Sequence, residues 1–592
     1  MHLSTLDWSF IAAFFLLSLV IGLVVSKRAG ESASEYFLSG RSMPWWLLGF
    51  SMVATTFSAD TPNLVTDIVR KNGVSGNWQW WAFLLTGMLT VFVYAKLWRR
   101  SGVLTDLEFY ELRYSGKPAA FLRGFRALYL GVFFNVMIMA TVSLAAIKIG
   151  GVLLGLSPIQ TILLASIVTV IYTSLGGLTG VIWTDFFQFI VAMIGVVGAA
   201  VVVVNLPQVG GMSNLLAHPN VAPKLSVLPD FNDMNVLLPF LILPLAIQWW
   251  SVWYPGAEPG GGGYIAQRML SAKNETHAIT ATLFFNFVHY ALRPWPWILV
   301  ALASLIVFPD LASLKTAFPN LPDNVINDDL AYPAMLTFLP PGLLGLVIAA
   351  LIAAYMSTIA THLNWGSSYV VNDFYKRFVK PHAGDKELVN VGRISTVILM
   401  VFSALIALVL SNALQAFNIL LQIGAGTGLI FILRWFWWRI NAWSEISAMV
   451  ISFVIAIVFE FGMPELPAHI KLISGVAITT VCWVIVTFLT QPAAHDTLLK
   501  FYKLIKPHAA GWQAVIRRAV AAGELKQSEV AAGKLPLELV CMFTGCFLVY
   551  GALFGIGFWV YGETGKALTG LGIAVVAGFI LVKSWSQVKG NA

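Results

Sequence analysis

Charged side chains are what this sequence has least of. Asp, Glu, Lys and Arg make up 11% of its 592 residues, against roughly 25% in an average soluble protein. That scarcity excludes an ordinary water-soluble domain. Cysteine is scarcer still: Cys482, Cys541 and Cys546 all fall in apolar runs, so no disulfide framework is expected. The opening residues Met1 to Asp7 carry no basic n-region, and Lys27 and Arg28 follow the first apolar run instead. A retained first helix with its N-terminus outside is expected rather than a cleaved signal. No zinc-ligand or nucleophile motif stands on a polar segment. The net charge of +8 reports loop orientation in such a chain before it reports a nucleic-acid partner.

What the sequence has in abundance is apolar length. Hydrophobic residues are 58% of the chain, and runs long enough to span a bilayer, about 20 residues each, lie near 7-27, 43-70, 77-98, 121-153, 158-175, 180-205, 234-257, 277-309, 336-372, 389-411, 414-437, 442-463, 469-490, 535-561 and 567-587. With the N-terminus outside, most Lys and Arg fall in the inner loops, as the positive-inside rule requires. The pattern predicts an all-α polytopic membrane protein of about 15 transmembrane helices. It divides into a peripheral first helix (1-30), a core (31-440) and further C-terminal helices (441-592). Within the last, residues 491-534 place Lys500, Lys503, Lys506, Arg517 and Arg518 between short apolar positions, the pattern of an amphipathic cytoplasmic segment at the membrane surface.

Two of the apolar runs are interrupted. The run from Ser42 turns polar after Ala54, with Thr55, Thr56, Ser58, Asp60 and Thr61, and then meets Pro62. Proline lacks an N–H and crowds the carbonyl four residues back, so the helix is expected to break here. Freed carbonyls at membrane depth are tolerated where they line a cavity, and there they can ligate a small hard cation. The second interruption, residues 251 to 264, holds two prolines, five glycines and Glu258, a composition that no regular helix survives. Setting the first run aside, the next ten divide into two sets of five, each opening with a broken helix. That is a ten-helix inverted repeat, 5+5, with two discontinuous helices.

Other polar residues cluster within apolar runs. Ser357, Thr361, Asn364 and Ser368 are spaced +4, +3 and +4, one face of a helix, with Thr358 beside it. Their hydroxyls and the carbonyls freed after Ala54 would supply an uncharged oxygen shell suited to sodium. Asp185 is an acid inside an apolar run, expected toward the inner face and away from the breaks, and an intramembrane carboxylate is a functional candidate by default. Gln415, Asn418 and Gln422 form an amide-rich face able to grip hydroxyls. Trp78, Gln79, Trp80, Trp81, Trp249, Trp250, Trp253, Tyr254 and Tyr264 surround the breaks, and some of these rings could wall a cavity for a ring-shaped solute.

The stretches Glu35 to Trp46, Gly176 to Val181 with Thr184, Asp185 and Gln188, Gln267-Arg268 with Lys273, and Ala354 to Ser368 with Asp373 and Tyr375 resemble the sodium:solute symporter family. The likeness extends over about residues 7 to 440. It implies a main sodium held by the carbonyls of Ala54, Phe57 and Ala354 and the hydroxyls of Ser357 and Thr358. It implies a candidate second sodium near Asp185 and Thr361, in a set where Ala360 stands without a hydroxyl. Tyr264 matches the family's aromatic inner gate, preceded here by Gly262 and Gly263.

The expected function is sodium-coupled import of a small polar organic solute by alternating access, a sugar or polyol being favoured over an amino acid or carboxylate. Candidate solute contacts are Ser58, Asp60, Thr61, Gln79, Glu258, Tyr264, Asn418 and Gln422. Glu258 is read as an ionised group bonded by the N–H groups of glycines 260 to 263 and facing the solute. A different class, a membrane-embedded glycosyltransferase, would use Asp328 and Asp329 as acid and base. The expected partners are the solute, Na+ and the lipid bilayer, with no nucleic acid, in a monomer or weak oligomer. The expected location is a bacterial cytoplasmic membrane, with the C-terminus inside.

Overall fold

The computed structural model describes residues 3–29, 31–56, 58–251, 258–321, 325–410, 424, 426–530 and 533–589. Among these it is all helix and turn; the one strand-like pairing is an isolated bridge between Met43 and Ala272. Among the described residues, eleven helices are long and apolar enough to cross a membrane, and Pro158–Ile171 and Met234–Ala246 are shorter apolar helices. The expected count of fifteen is therefore not reached by full-length spans. One reason is that the run expected at 43-70 is two helices of 12 residues. Another is that most of the first half of the 414-437 run lies outside the described residues.

Helix α1 spans Thr5–Ala29, and α2 and α3 are the two halves Trp45–Thr56 and Thr61–Asn72 of the first broken helix. Pro62 sits in the first turn of α3, where its missing N–H costs nothing. Gly73, at φ 74°, ends that half. Helix α4, Pro158–Val204, starts at a capping box between Ser157 and Gln160. Between the runs expected at 158-175 and 180-205 the chain kinks at the single non-helical residue Gly177, φ 52°. The second break passes through Gly260 and Gly261, at φ 87° and 82°. A side chain would strain either position. It then enters α5, Gly263–Ser271.

Helix α6, Leu343–Ser368, is buried along most of its length and packs against α1, α2, α4 and α5. The chain just before α2 and just after α5 is joined by Met43 N donating to Ser271 O and Lys273 N to Met43 O, each 3.1 Å. This tie fixes the two broken helices relative to each other.

The 491-534 segment forms helices His495–Ile505 and Gln513–Ala521. Their apolar sides, including Phe501, Tyr502, Trp512 and Ile516, are buried on protein rather than left for lipid. Trp512 donates to Trp435 O at 3.0 Å, Arg100 to Ile505 O at 2.6 Å, and the Arg113 guanidinium lies 4.8 Å from the Trp512 ring centre. The five basic residues remain exposed. Of the expected aromatic wall, Trp78 and Trp81 pack on Phe554 of the C-terminal region, while Trp253 and Tyr254 lie outside the described residues.

Candidate functional site

The carbonyl end of α2 is held by side chains from distant helices. Arg293 donates to Val53 O at 2.9 Å and to Thr56 O at 3.4 Å, and Thr358 of α6 donates to Thr55 O at 2.8 Å. A cation beside the negative end of a helix dipole is favourable. Thr56 and Tyr264 join their hydroxyl groups at 3.0 Å, so the two breaks meet side chain to side chain. Ala54 and Ala354 are both buried in this region. Phe57 lies outside the described residues.

The polar face on α6 is realised, and it reaches outward from its own helix. Ser357 donates to Asp185 Oδ1 at 2.6 Å, Thr361 pairs with the Thr55 hydroxyl at 3.1 Å, and Asn364 Oδ1 accepts from Gln267 at 2.9 Å. Ser368 alone of the four bonds back, to Trp365 O at 2.6 Å. Asp185 also accepts from Ser51 of α2 at 2.5 Å. It is fully buried beside the first broken helix, which corrects its expected position away from the breaks. The reason is that α4 packs on both α2 and α6.

Two arginines central to this geometry were assigned no role from sequence. Arg268, fully buried, donates from Nε to Ser51 at 2.9 Å, and from Nη2 to Thr361 at 2.8 Å, Thr55 at 3.0 Å and Asp185 at 3.4 Å. Arg293 is the second. The signal available for both was an arginine within a largely apolar stretch, which is rarely placed in a membrane without a polar partner.

The solute candidates divide. Ser58 is buried, Asp60, Thr61 and Gln79 are half-buried, and Gln79 O accepts from Gln248 at 2.7 Å. Tyr264 is buried at the meeting of the breaks. Asn418 and Gln422, with Gln415, lie outside the described residues. Glu258 departs from expectation. Its carboxylate is ion-paired with Arg126 and with Arg434, the latter at 3.3 Å. The amide of Gly263 donates instead to Asp106, at 2.8 Å. Guanidinium partners outcompete glycine N–H groups because they neutralise a buried charge as well as bonding to it. Glu258 is therefore a link in a buried ion-pair network.

Asp328 and Asp329 are also committed, to Arg70 at 2.8 Å and Lys148 at 2.7 Å. Carboxylates locked to separate cations do not form an acid–base pair, and the glycosyltransferase alternative falls with them.

Residues 36–452 match the sequence profile of the sodium:solute symporter family. The sodium/glucose cotransporter of Vibrio parahaemolyticus is 28% identical over 482 residues, covering 78% of this chain and 87% of that protein. The human sodium/myo-inositol cotransporter is 28% identical over 552 residues, covering 84% of this chain and 75% of that protein. In structure, the substrate-bound outward-open state of a Na+-coupled sialic acid symporter aligns with a TM-score of 0.64 at 22% identity, over 83% of this chain and 99% of that one. The shared architecture is that of inverted-repeat transporters built around two broken helices. This chain is thus a multi-pass membrane transporter, not an enzyme, with Na+ as its coupling ion, and it belongs to the sodium:solute symporter family.

Proposed function

We propose that the solute is a sugar or polyol, imported with sodium by alternating access across a bacterial cytoplasmic membrane. The observation that carries this reading is the junction of the breaks, where the Thr56 and Tyr264 hydroxyls meet just before the chain runs on to Ser58, Asp60 and Thr61. Uncharged hydroxyls and an aromatic ring suit a polyhydroxylated solute. Relatives named as sodium/glucose and sodium/myo-inositol cotransporters support the same class. The solute contacts assigned are Ser58, Asp60, Thr61, Gln79 and Tyr264, with Asn418 and Gln422. Glu258 is left out because its charge is already matched by two arginines. The core is assigned to residues 31-440, with the N-terminus outside, in a monomer or weak oligomer.

The main sodium is assigned to the carbonyls of Ala54, Phe57 and Ala354 and the hydroxyls of Ser357 and Thr358. Two contacts support this. The Thr358–Thr55 bond brings α6 against the carbonyl end of α2. The Ser357–Asp185 bond sends the Ser357 proton away from the ion, leaving oxygen lone pairs for it. Bound sodium would hold the end of α2 on α6, and its departure would free α2 to move, which couples ion to solute. The driving force suffices. One sodium crossing 100 mV releases about 2.3 kcal/mol and a tenfold gradient adds about 1.4 kcal/mol. Their sum supports accumulation of a neutral solute on the order of 500-fold.

Uptake of labelled glucose, galactose, mannose, myo-inositol, an amino-acid mixture and small carboxylates into liposomes tests the reading. An inward sodium gradient should drive at least one of the sugars or inositol. Sodium-driven uptake confined to amino acids or carboxylates would overturn it.

A further inference from the structure

A cavity of about 410 Å³ lies between α1, the first half of α4, α6 and the chain from Ala146 to Leu156. Its wall is apolar, with Ile11 and Phe15 of α1, Leu164 and Val168 of α4, and Ile348 and Ile352 of α6. The two hydroxyls in that wall are spent: Thr161 donates to Ser157 O at 3.1 Å, and the Tyr355 hydroxyl shares a hydrogen bond with Ser143 at 3.2 Å. A polar solute finds no partner here, and neither does water, which needs about two to four polar groups to settle in a cavity.

Length and outlet point to the occupant. The wall extends along α1 from Trp8 to Phe15 and along α6 from Ile348 to Met356, about 10 to 12 Å of helix. That is most of the hydrocarbon depth of one leaflet, about 15 Å. One end lies at Leu154 and Leu156, where the span Gly116–Leu154 gives way to the apolar helix Pro158–Ile171. In the wall, Trp8 and Leu164 are 55% and 56% exposed, so the cavity opens sideways onto the apolar surface that meets lipid. The other end reaches Ala59, in the break between α2 and α3, and Met356, just before Ser357. Helix α1 is held on either side of this space. Asp7 accepts from Gly342 N and Gly345 N, at 2.8 and 2.7 Å, where α6 begins, and Val25 lies against Gly176 and Gly180 of α4. The cavity is therefore not free to collapse, and left empty its wall would forfeit dispersion contacts.

We propose that this cavity binds one acyl chain of a membrane phospholipid. The chain enters from the leaflet nearer the start of α1, which is the outer one in the orientation proposed above, and its headgroup stays outside at the level of Leu154 and Leu156. A volume of 410 Å³ spread over this depth is about one chain wide. The end of the chain rests against Ala59 and Met356, so that lipid and the first broken helix share a wall. The site does not depend on which solute is carried.

Photolabelling of the full-length protein in liposomes tests this, with a phosphatidylcholine carrying a diazirine near the end of one acyl chain. Tyr355 and Met356 are 2% and 1% exposed, out of reach of a chain lying on the outer surface, and both should be labelled in the wild type. Ala165→Phe, which puts a ring into the cavity from α4, should cut that label at least fivefold, and Ile352→Phe should do the same from α6. Label on the exposed residues Ile394, Val401 and Leu405 of the helix Asp385–Val409 should be equal in all three proteins. Wild-type label confined to such exposed faces would overturn the proposal, whether or not the filled variants fold. Label at Met356 that both fillings leave undiminished would overturn it as well.

Discussion

Ser357 and Thr358 are neighbours on one helix, yet their hydroxyls serve different partners, and this sets different expectations for losing them. Thr358 bonds a backbone carbonyl of α2, while Ser357 bonds the buried carboxylate of Asp185. Thr358→Ala removes one oxygen of the proposed sodium shell and one neutral hydrogen bond, about 0.5 to 1.5 kcal/mol. Half-saturating sodium for transport should rise about three- to tenfold. Ser357→Ala also removes a donor from an ionised acid, where hydrogen bonds are worth about 1.5 to 3 kcal/mol, so the rise should exceed tenfold. Sodium titrations of uptake check both; equal dependence in mutants and wild type would remove these residues from the ion site. The stripe holding them was legible because helical periodicity is a local property of sequence. The partners were not: Arg268 meets Asp185 from 83 positions away and Arg293 meets Val53 from 240 away. Nothing in the spacing of apolar residues encodes which distant oxygen a long guanidinium side chain will reach.

Among the elements, the broken helices were the most legible, because proline at 62 and the glycines at 260 to 263 make an uninterrupted helix impossible. How the broken end of α2 is satisfied was not. Arg293 supplies that function, donating to the carbonyls of Val53 and Thr56 while stacked 5.0 Å from the Trp297 ring centre. Lysine has one compact head and cannot reproduce two divergent bonds and a stack. Arg293→Lys should therefore lower thermal stability and weaken sodium binding together, each by about 1 to 3 kcal/mol. Thermal unfolding and sodium titration of the purified variant check it; an unchanged sodium affinity would separate Arg293 from the ion site. The 491-534 segment shows the opposite limit. Its amphipathicity was plain in sequence, but lipid and protein both offer apolar surface, and only the fold shows that Trp512 lodges against Trp435.

At the scale of the whole molecule, ion pairs gather into clusters that join elements distant in sequence, and apart from the Asp185–Arg268 pair one buried network stands out. The network holds Glu258, Arg126, Arg434 and Glu445, with Arg434 3.4 Å from Glu445 and 2.9 Å from the Tyr110 hydroxyl. Removing one partner of a buried pair costs about 3 to 5 kcal/mol because the other charge is left uncompensated. Glu258→Gln should thus lower the unfolding temperature markedly, and adding Arg434→Met should recover part of the loss; additive losses in the pair would deny the coupling. At one end of the bundle, Arg70 binds Asp328 and the carbonyls of Ser304 and Phe308.

At the other end, Arg123 gathers Glu111 and Asp373, each at 2.7 Å, and Arg377 adds a second cation to Glu111 at 2.8 Å. Glu111 belongs to the short helix Phe109–Arg113 between two spans, so acid can test its part. Burial alone would raise its pKa, but the hydrogen bonds from Arg377 and Arg123 outweigh burial and hold it below the ordinary 4.5. A carboxyl depressed in this way stabilises these contacts at every pH above its unpaired value, and that stabilisation is lost as pH falls through the depressed value. Neutral pH should therefore keep these ion pairs made, and acidification below about 4.5 should begin to release them. Hydrogen exchange across residues 106 to 113, compared between pH 7 and a series below 4.5 after correction for intrinsic rates, should show protection falling in the acid range. Glu111→Gln should be less protected already at pH 7 and lack the acid step attributable to this group, while a variant that kept the full step would place the acid sensitivity elsewhere, with Asp373 the next carboxylate on Arg123 to test.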